Sequence, residues 1–215
     1  MKVLITGTSK GIGREVAIKF LNENHKVIGV DIEESTINHK NYTHIIKSIT
    51  DKDLPNIPDI DILINNAGVQ NSVDDIDINL KGTINITEKY GIQKNIKSVL
   101  FMASASASTG SEFPRYVASK GGVVSYMKYV AHEISKYGAT SNSISAGGVI
   151  TELNKHILED EKLYKAVLNE TMLNKWIEKE EIASLAYYLT VINKSMTGQD
   201  LLIDNGEALK ANFIW

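Results

Sequence analysis

"TGTSKGIG", residues 6–13, is the stretch that decides the fold. It follows a short apolar run, "KVLIT" (2–6), and opens a segment whose apolar residues recur at helical spacing. Gly7, Gly11 and Gly13 let the chain turn tightly and let backbone N–H groups approach a pyrophosphate, which the N-terminus of the next helix also attracts. A position between a first strand and a first helix therefore predicts a dinucleotide-binding turn, in preference to a glycine-rich turn without a ligand.

The end of the second predicted strand bears on the choice between nicotinamide cofactors. Asp31 lies 18 residues past Gly13, close to the spacing of about 20 residues at which an acidic side chain binds the adenosine ribose. A carboxylate there repels a 2′-phosphate, which favours NAD over NADP. Lys10 weighs the other way, because a cation beside the turn can meet that phosphate. A strand-end turn residue and a solvated surface charge are the simpler alternatives for these two positions. Thr8 and Ser9 can add hydroxyl donors.

Short apolar runs bounded by turn residues continue along the chain. The predicted strands are 2–6, 26–31, 44–49, 60–65, 98–104, 140–146 and 200–205. The helical patterns between them are 11–24, 75–95, 116–137, 151–176 and 179–192. Strands that alternate with helices predict βαβ units and a parallel sheet buried on both faces. We therefore expect one α/β domain over 1–215, a doubly wound Rossmann-type fold whose mostly parallel sheet of about seven strands is flanked by helices.

Composition and charge exclude several classes of protein. The chain has 215 residues and a net charge of −3, which is the wrong sign for a nucleic-acid binder. It has no cysteines, so disulfide and thiolate chemistry is impossible, and a cytoplasmic location is the simplest expectation. Five scattered histidines, without an i, i+4 pair, predict no metal site. Every apolar run is too short for a membrane span, so we expect no membrane partner.

Six further motifs follow the glycine-rich turn. They are "NNAG" (65–68), "INLKGTIN" (78–85), "MASAS" (102–106), "YVASK" (116–120), "ISAGGVIT" (144–151) and "MTGQDLLIDNG" (196–206). In this order, each at the matching end of its strand or helix, the motifs resemble those of the short-chain dehydrogenase/reductase family. The resemblance covers the chain from Met1 to about Gly206. It implies hydride transfer between a nicotinamide and a carbonyl or alcohol.

The resemblance implies a catalytic group of four residues, namely Asn79, Ser104, Tyr116 and Lys120. Ser104 matches the family's strand-end serine that binds the substrate oxygen, and Ser106 is the alternative. The asparagine in the family anchors a water that links the lysine to solvent.

The resemblance also implies a cofactor site. Its residues are Gly7, Ser9, Lys10, Gly11, Ile12, Gly13, Asp31, Ile32, Ser48, Ile49, Asn66, Ala67, Gly68, Tyr116, Lys120, Val149 and Thr151. In the family, the residue at 149 holds the nicotinamide carboxamide through its backbone, and the threonine at 151 reaches the pyrophosphate.

Tyr116 and Lys120 stand four residues apart in "RYVASKGG" (115–122), so a helix presents both on one face. A phenol has a reference pKa near 10. An ammonium about 4 Å from the phenolate contributes about 4 kcal/mol at an effective dielectric near 20, or roughly three pKa units. The spacing therefore predicts a lowered pKa for Tyr116 and a role as general acid–base. A buried tyrosine and a solvated lysine are the ordinary alternatives.

The chain departs from the family pattern in its connections and at two motif positions. We expect no helix between Asp31 and the third strand, about one turn in 50–61, and a pared-back loop before Asn79. These changes predict a more open active-site mouth, or one completed by another subunit. Ser48 replaces an aspartate that usually contacts the adenine. Ala146 replaces a proline, which leaves the following loop less constrained.

The sequence thus predicts an NAD(P)-dependent oxidoreductase acting on a small secondary alcohol or ketone. A cofactor-binding regulator or scaffold with little turnover is the alternative, and a structural domain without a cofactor is the third hypothesis. The segment 151–176 is expected to cover the substrate, and its mixed charges leave both an acyl thioester and a sugar or polyol open. By analogy we expect a homodimer or homotetramer, with the helices at 75–95 and 116–137 against a second copy.

Overall fold

Seven strands form one parallel sheet in the computed structural model, which describes residues 1–210. The strands are β1 (Lys2–Thr6), β2 (Lys26–Asp31), β3 (Tyr42–Ile46), β4 (Ile62–Asn65), β5 (Ser98–Met102), β6 (Thr140–Ala146) and β7 (Asp200–Ile203). Their order is β3-β2-β1-β4-β5-β6-β7. This order confirms the predicted doubly wound α/β fold. Positions 211–215 of the predicted domain lie outside the described residues.

Helices connect the strands and cover both faces of the sheet. They are α1 (Gly11–Asn22), α2 (Thr83–Tyr90), α3 (Ser106–Thr109), α4 (Pro114–Ser135), α5 (Lys155–Leu158), α6 (Glu161–Leu168) and α7 (Lys179–Tyr187). A π-helical turn, Ile76–Gly82, leads into α2, and a second one, Tyr188–Ile192, continues α7. Short 3₁₀ turns lie at Glu152–Asn154 and Glu207–Leu209.

Successive side chains of the buried strands point to opposite faces and form two cores. Val3 and Ile5 of β1 belong to the core that α1 and α7 cover. Leu4 belongs to the other core, where Met127 and Val130 of α4 are fully buried. The apolar side of the 116–137 pattern therefore faces the chain's own sheet.

Three of the seven strands have the predicted bounds, and β4, β5 and β7 are each two residues shorter than predicted. β1, β2 and β6 occupy the predicted residues. The third strand was predicted at 44–49 but lies at Tyr42–Ile46, because Ile49 leaves the sheet and is buried in the core below α2.

The predicted helical pattern 151–176 is wrong as a single helix. It forms a 3₁₀ turn followed by α5 and α6, and the Asp160 side chain starts α6 by accepting the N–H groups of Lys162 and Leu163. After α6 the chain turns back, and Ile177 pairs with Val149 in a parallel bridge.

Two connections between strands contain no helix. Within residues 1–210, the segments 32–41 and 50–61 contain only turns and irregular backbone. The strand order reverses between β1 and β4, and the crevice beyond their carboxyl ends is where doubly wound sheets bind ligands.

Candidate active site

The glycine-rich turn joins β1 to α1 at this crevice. Gly11 has a φ of +58°, a left-handed conformation that favours glycine. A Cβ on Gly13 would lie 2.0 Å from the Gly7 carbonyl oxygen, so only glycine lets the helix approach the turn this closely. Lys10 precedes the helix, and its own side chain does not cap the first turn of α1. The backbone N–H groups at the start of α1 therefore form a cradle for an anion.

Asn66 holds the turn in place from the end of β4. Its Nδ2 donates to the carbonyl oxygens of Thr6 and Gly7, at 3.0 and 3.1 Å. The Thr6 hydroxyl in turn accepts the backbone N–H groups of Asn66 and Ala67, both at 3.0 Å. In this structure the "NNAG" motif thus stabilises the glycine-rich turn through hydrogen bonds.

Asp31 lies beside the same turn, at the end of β2. One carboxylate oxygen accepts the backbone N–H of Ser9 at 2.9 Å, and the other accepts that of Glu33 at 3.0 Å. The Lys10 ammonium pairs with the Glu33 carboxylate at 2.5 Å, and this hydrogen bond raises the pKa of Lys10. Ile32 follows Asp31 and is 71% exposed. The edge of the cofactor site therefore carries more negative than positive charge.

The expected hydroxyl donors Thr8 and Ser9 are directed into the protein. The Ser9 hydroxyl donates to the Glu33 carbonyl oxygen, and the Thr8 hydroxyl pairs with that of Tyr42. Both hydroxyls are thus engaged within the protein, and their contribution to binding a pyrophosphate stays a prediction.

Ser48 and Ile49 lie after β3, where the adenine is expected. The Ser48 backbone N–H donates to the Asp51 carboxylate at 3.1 Å, and its hydroxyl pairs with that of Thr50 at 2.7 Å. The Ile49 side chain is buried beneath Gly82. Asp51 thus lies next to Ser48, the residue that replaces the aspartate usual in the family.

Ser104 and Tyr116 line one cavity of about 1010 Å³. Ser104 follows β5, and its hydroxyl oxygen accepts hydrogen bonds from the backbone and the hydroxyl of Ser106. Ser106 does not line the cavity, although it was the alternative to Ser104. Ser104 therefore fits the expected role better, because it stands between Ser106 and the cavity and has Tyr116 beside it.

Lys120 lies beneath Tyr116 on the same face of α4. Its Nζ donates to the Met102 carbonyl oxygen at 2.9 Å and lies 5.5 Å from the centre of the Tyr116 ring. Burial lowers the pKa of Lys120 to about 8, against the opposing effects of Glu112 and Asp75. Both side chains thus share one helix face, as the four-residue spacing predicts.

The predicted lowering of the Tyr116 pKa is not found. Burial raises the pKa of Tyr116 to about 12, and a hydrogen bond with Ser104 only partly offsets this. The predicted lowering requires an ammonium about 4 Å from the phenolic oxygen. Lys120 instead places its ammonium over the ring and gives its hydrogen bond to a backbone carbonyl.

Asn79 lies in the π-helical turn before α2 and is buried. Its side chain forms two hydrogen bonds of 2.8 Å with the backbone of Val69, and it donates to the Ser119 hydroxyl at 3.1 Å. A Cβ on Gly68 would lie 2.8 Å from the Asn79 Oδ1 and 3.7 Å from the Lys120 Nζ. Asn79 is thus close to Lys120, and its hydrogen bonds hold the loop that follows Gly68.

Val149 and Thr151 lie on the far side of the cavity, together with Ile12. The Val149 carbonyl oxygen accepts a hydrogen bond from Asn154 at 2.9 Å, and its strand-like backbone pairs with Ile177. A Cβ on Gly11 would lie 3.9 Å from the Thr151 methyl carbon. The cavity therefore runs from the start of α1 to Ser104 and Tyr116.

Several residues of the cavity were not singled out from the sequence. Glu112 and Glu207 line it, and Trp176 packs against Gly148 in its floor. Glu112 and Glu207 belong to no motif, so no sequence signal pointed to them, whereas Trp176 ends the segment 151–176 that is expected to cover the substrate.

The residues present fit a dinucleotide. The start of α1 lies at one end of a continuous cavity, an acidic strand end stands beside it, and a tyrosine and a serine lie at the other end. Residues 1–210 contain no group of three or more His, Asp or Glu side chains that could hold a metal ion. No helix in the same range is long and apolar enough to cross a membrane.

Comparison with known proteins places this site in a family. A family model described as enoyl-(acyl carrier protein) reductase matches residues 44–207, which is more than half of the chain. A glucose 1-dehydrogenase of Gluconobacter oxydans is 25% identical and covers 99% of this chain and 93% of its own. A 3-oxoacyl-(acyl-carrier-protein) reductase of Thermotoga maritima is 27% identical, with coverages of 94% and 96%.

Solved structures share the fold. A dehydrogenase from Agrobacterium tumefaciens with bound NADP superposes with a TM-score of 0.87 at 24% identity, covering 97% of this chain and 96% of its own. A 4-hydroxyisoleucine dehydrogenase in complex with NADH and succinate also has a TM-score of 0.87 at 24% identity, with coverages of 99% and 100%. With the family model, these matches show that the chain belongs to the short-chain dehydrogenase/reductase family of NAD(P)-dependent oxidoreductases.

Proposed function

We propose that the protein transfers a hydride between NAD and a small secondary alcohol or its ketone, with Tyr116 as the general acid–base. The observation that carries this proposal is that one cavity joins Thr151, which lies beside the start of α1, to Ser104 and Tyr116. A dinucleotide in the cradle of α1 can extend along it toward these two side chains. When bound, the nicotinamide supplies or accepts the hydride.

The side chains at the end of the cavity suit proton transfer to an oxygen. The Ser104 hydroxyl binds the substrate oxygen and stabilises the charge that develops on it. Tyr116 gives its phenolic proton to that oxygen in the reduction and takes it back in the oxidation. A pKa of about 12 keeps the phenol protonated at neutral pH, which favours the reduction. Lys120 stabilises the phenolate formed when the proton leaves.

Three features support a preference for NAD. The Asp31 carboxylate stands where the adenosine ribose is expected and repels a 2′-phosphate. The Glu33 carboxylate neutralises Lys10, the cation that argued for NADP. Ser9, beside Lys10, uses its hydroxyl within the protein. Relatives of similar fold bind NADP in one case and NADH in another, so the proposed preference for NAD depends on these side chains.

The segment between Thr151 and Trp176 covers the substrate in this proposal. Its residues Leu153, His156, Ile157, Val167 and Glu170 line the cavity. The turns that interrupt the segment divide it into short pieces, which allows each piece to shift when a substrate enters.

The test is an activity screen with purified protein, NAD or NADP, and a panel of secondary alcohols and ketones. We expect turnover with NAD, and we expect Tyr116→Phe to lower kcat by about 10²–10⁴-fold while the Kd for NADH stays unchanged. Tyr129→Phe is the matched control, because Tyr129 lies on the same helix and is 52% exposed. NADH binding without turnover on any substrate would instead support the regulator or scaffold, and full activity in Tyr116→Phe would assign the proton transfer to another group.

A further inference from the structure

Three acidic side chains surround the substrate end of the cavity that contains Ser104 and Tyr116. They are Glu112, Glu170 and Glu207. Glu112 lies two residues before α4, Glu170 follows α6, and Glu207 begins the 3₁₀ turn after β7. Segments far apart in the sequence thus bring carboxylates to one place.

Glu112 is held beside the reactive end by a strained backbone. Its φ is +88°, a conformation that few residues other than glycine adopt and that often marks a functional position. One carboxylate oxygen accepts a hydrogen bond from the Gln70 side chain at 3.0 Å. Partial burial raises the pKa of Glu112, and the Gln70 hydrogen bond and the charge of Lys120 oppose this. The carboxylate also helps to raise the pKa of the Tyr116 phenol.

Glu207 approaches the opposite wall of the cavity. A Cβ on Gly147 would lie 2.9 Å from the Glu207 Oε2, so this carboxylate lies against the backbone that follows β6. Burial raises the pKa of Glu207, and so do the nearby carboxylates of Asp204, Glu170 and Glu112. The acidic groups are therefore close enough to repel one another.

Few cations balance this charge. Among residues 1–210, none of the three glutamates forms an ion pair with a lysine, arginine or histidine. Lys210 also lines the cavity, but its ammonium donates to the carbonyl oxygens of Asn169 and Thr171. His156 is the other basic side chain in the lining. Lys120 lies beneath the lining, with its ammonium on the Met102 carbonyl oxygen.

Carboxylates without ion-pair partners repel an anionic substrate and accept hydrogen bonds from hydroxyl groups. Gln70, Asn154 and Asn169 add amide groups to the same lining. We propose that Glu112 and Glu207 select an uncharged, polyhydroxylated alcohol or its ketone and disfavour substrates that carry a carboxylate or phosphate. This inference rests on the proposed function, since it concerns the substrate of the same reaction.

The test compares substrates that share a carbon skeleton and differ in charge. Open-chain polyols of four to six carbons are assayed with NAD beside the aldonates in which one terminal CH₂OH is a carboxylate, for example sorbitol and gluconate. We expect kcat/KM to favour the polyol by about tenfold or more. Glu112→Gln and Glu207→Gln are nearly isosteric and should each reduce this preference several-fold by raising kcat/KM for the aldonate.

Glu133→Gln is the matched control, because Glu133 lies on α4 away from the cavity lining and its loss should leave the preference unchanged. Thermal melting of each variant establishes that it is folded. An aldonate that reacts as well as its polyol, or a preference that survives in both variants, overturns the inference.

The panel also separates this inference from the function on which it rests. Tyr116-dependent turnover of simple ketones, with no turnover of any polyol, overturns the inference and leaves the proposed function standing. No turnover of any substrate overturns both.

Discussion

The Lys120 ammonium lies 5.5 Å from the centre of the Tyr116 ring and donates its hydrogen bond to the Met102 carbonyl oxygen. The two side chains thus interact through charge and the ring face, without a direct hydrogen bond between nitrogen and phenol. Lys120 therefore contributes most when a phenolate forms, because its charge then has an anion to stabilise. Under the proposed function, this arrangement predicts that the protonation state of Lys120 determines the rate.

The rate of ketone reduction should fall as the pH rises through about 8. The Tyr116 phenol, with a pKa of about 12, stays protonated over this range, whereas Lys120 loses its proton near pH 8. We expect kcat/KM to be constant below about pH 7 and to fall at higher pH, measured with NADH at saturation. Lys120→Met should be slower throughout and should lack the break. The same break in Lys120→Met would assign it to another group.

Gly13→Ala should damage both stability and cofactor binding. The new methyl carbon would lie 2.0 Å from the Gly7 carbonyl oxygen and 2.3 Å from the Asn66 Nδ2, so α1 must move away from the turn. We expect the free energy of unfolding in urea to fall by about 1–3 kcal/mol and the Kd for NAD to rise at least about tenfold.

Gly138→Ala separates this clash from backbone strain. Gly138 has a φ of +69°, and a Cβ there has no neighbour within 4 Å among residues 1–210. It should cost about 1 kcal/mol and leave NAD binding unchanged. A Gly13→Ala protein with the native Kd for NAD would contradict the role given to the turn.

Local patterns were sufficient to predict the sheet and the turn. The apolar runs of β1 and β2 are bounded by turn residues, and the glycines between β1 and α1 permit the tight turn that joins them. Long-range contacts account for the failures. Helical spacing over 151–176 gives no sign that Ile177 returns to pair with Val149.

The electrostatics of the site also required the structure. The spacing of Tyr116 and Lys120 gives their common face, but it gives neither their depth of burial nor the competing Met102 carbonyl oxygen. Glu112 belongs to no motif, and its position four residues before Tyr116 gives no sign that its charge raises the pKa of the phenol. Burial and distant partners were thus decisive wherever the prediction concerned a pKa or the lining of the cavity.

Asp31→Asn should weaken the preference for NAD. The carboxylate loses its charge, and with it a charge-assisted hydrogen bond to a ribose hydroxyl and the repulsion of a 2′-phosphate. We expect the Kd for NADH to rise about tenfold and the Kd for NADPH to change little, both measured by fluorescence titration. Glu34→Gln removes a neighbouring charge and should leave the ratio of the Kd values for NADH and NADPH unchanged. A ratio that does not move in Asp31→Asn would assign cofactor choice to other residues.

Glu152→Gln should tighten the binding of NAD. The Glu152 Oε2 would lie 3.7 Å from a Cβ on Gly11, so a carboxylate stands at the helix start where the pyrophosphate is expected. Its own backbone N–H, the Lys179 charge and the Gly11 N–H lower the pKa of Glu152 against the effect of burial, so it is charged at neutral pH. Removing this charge also frees Lys179, 3.7 Å away, to attract phosphate.

A decrease of about two- to fivefold in the Kd for NAD is expected at low salt, and the gain should shrink at 1 M salt because the effect is electrostatic. Isothermal titration calorimetry measures both values. Glu180→Gln is the control, because Glu180 carries the same charge in the first turn of α7 and should leave the Kd unchanged. An unchanged Kd in Glu152→Gln would mean that the carboxylate leaves the helix start before NAD binds.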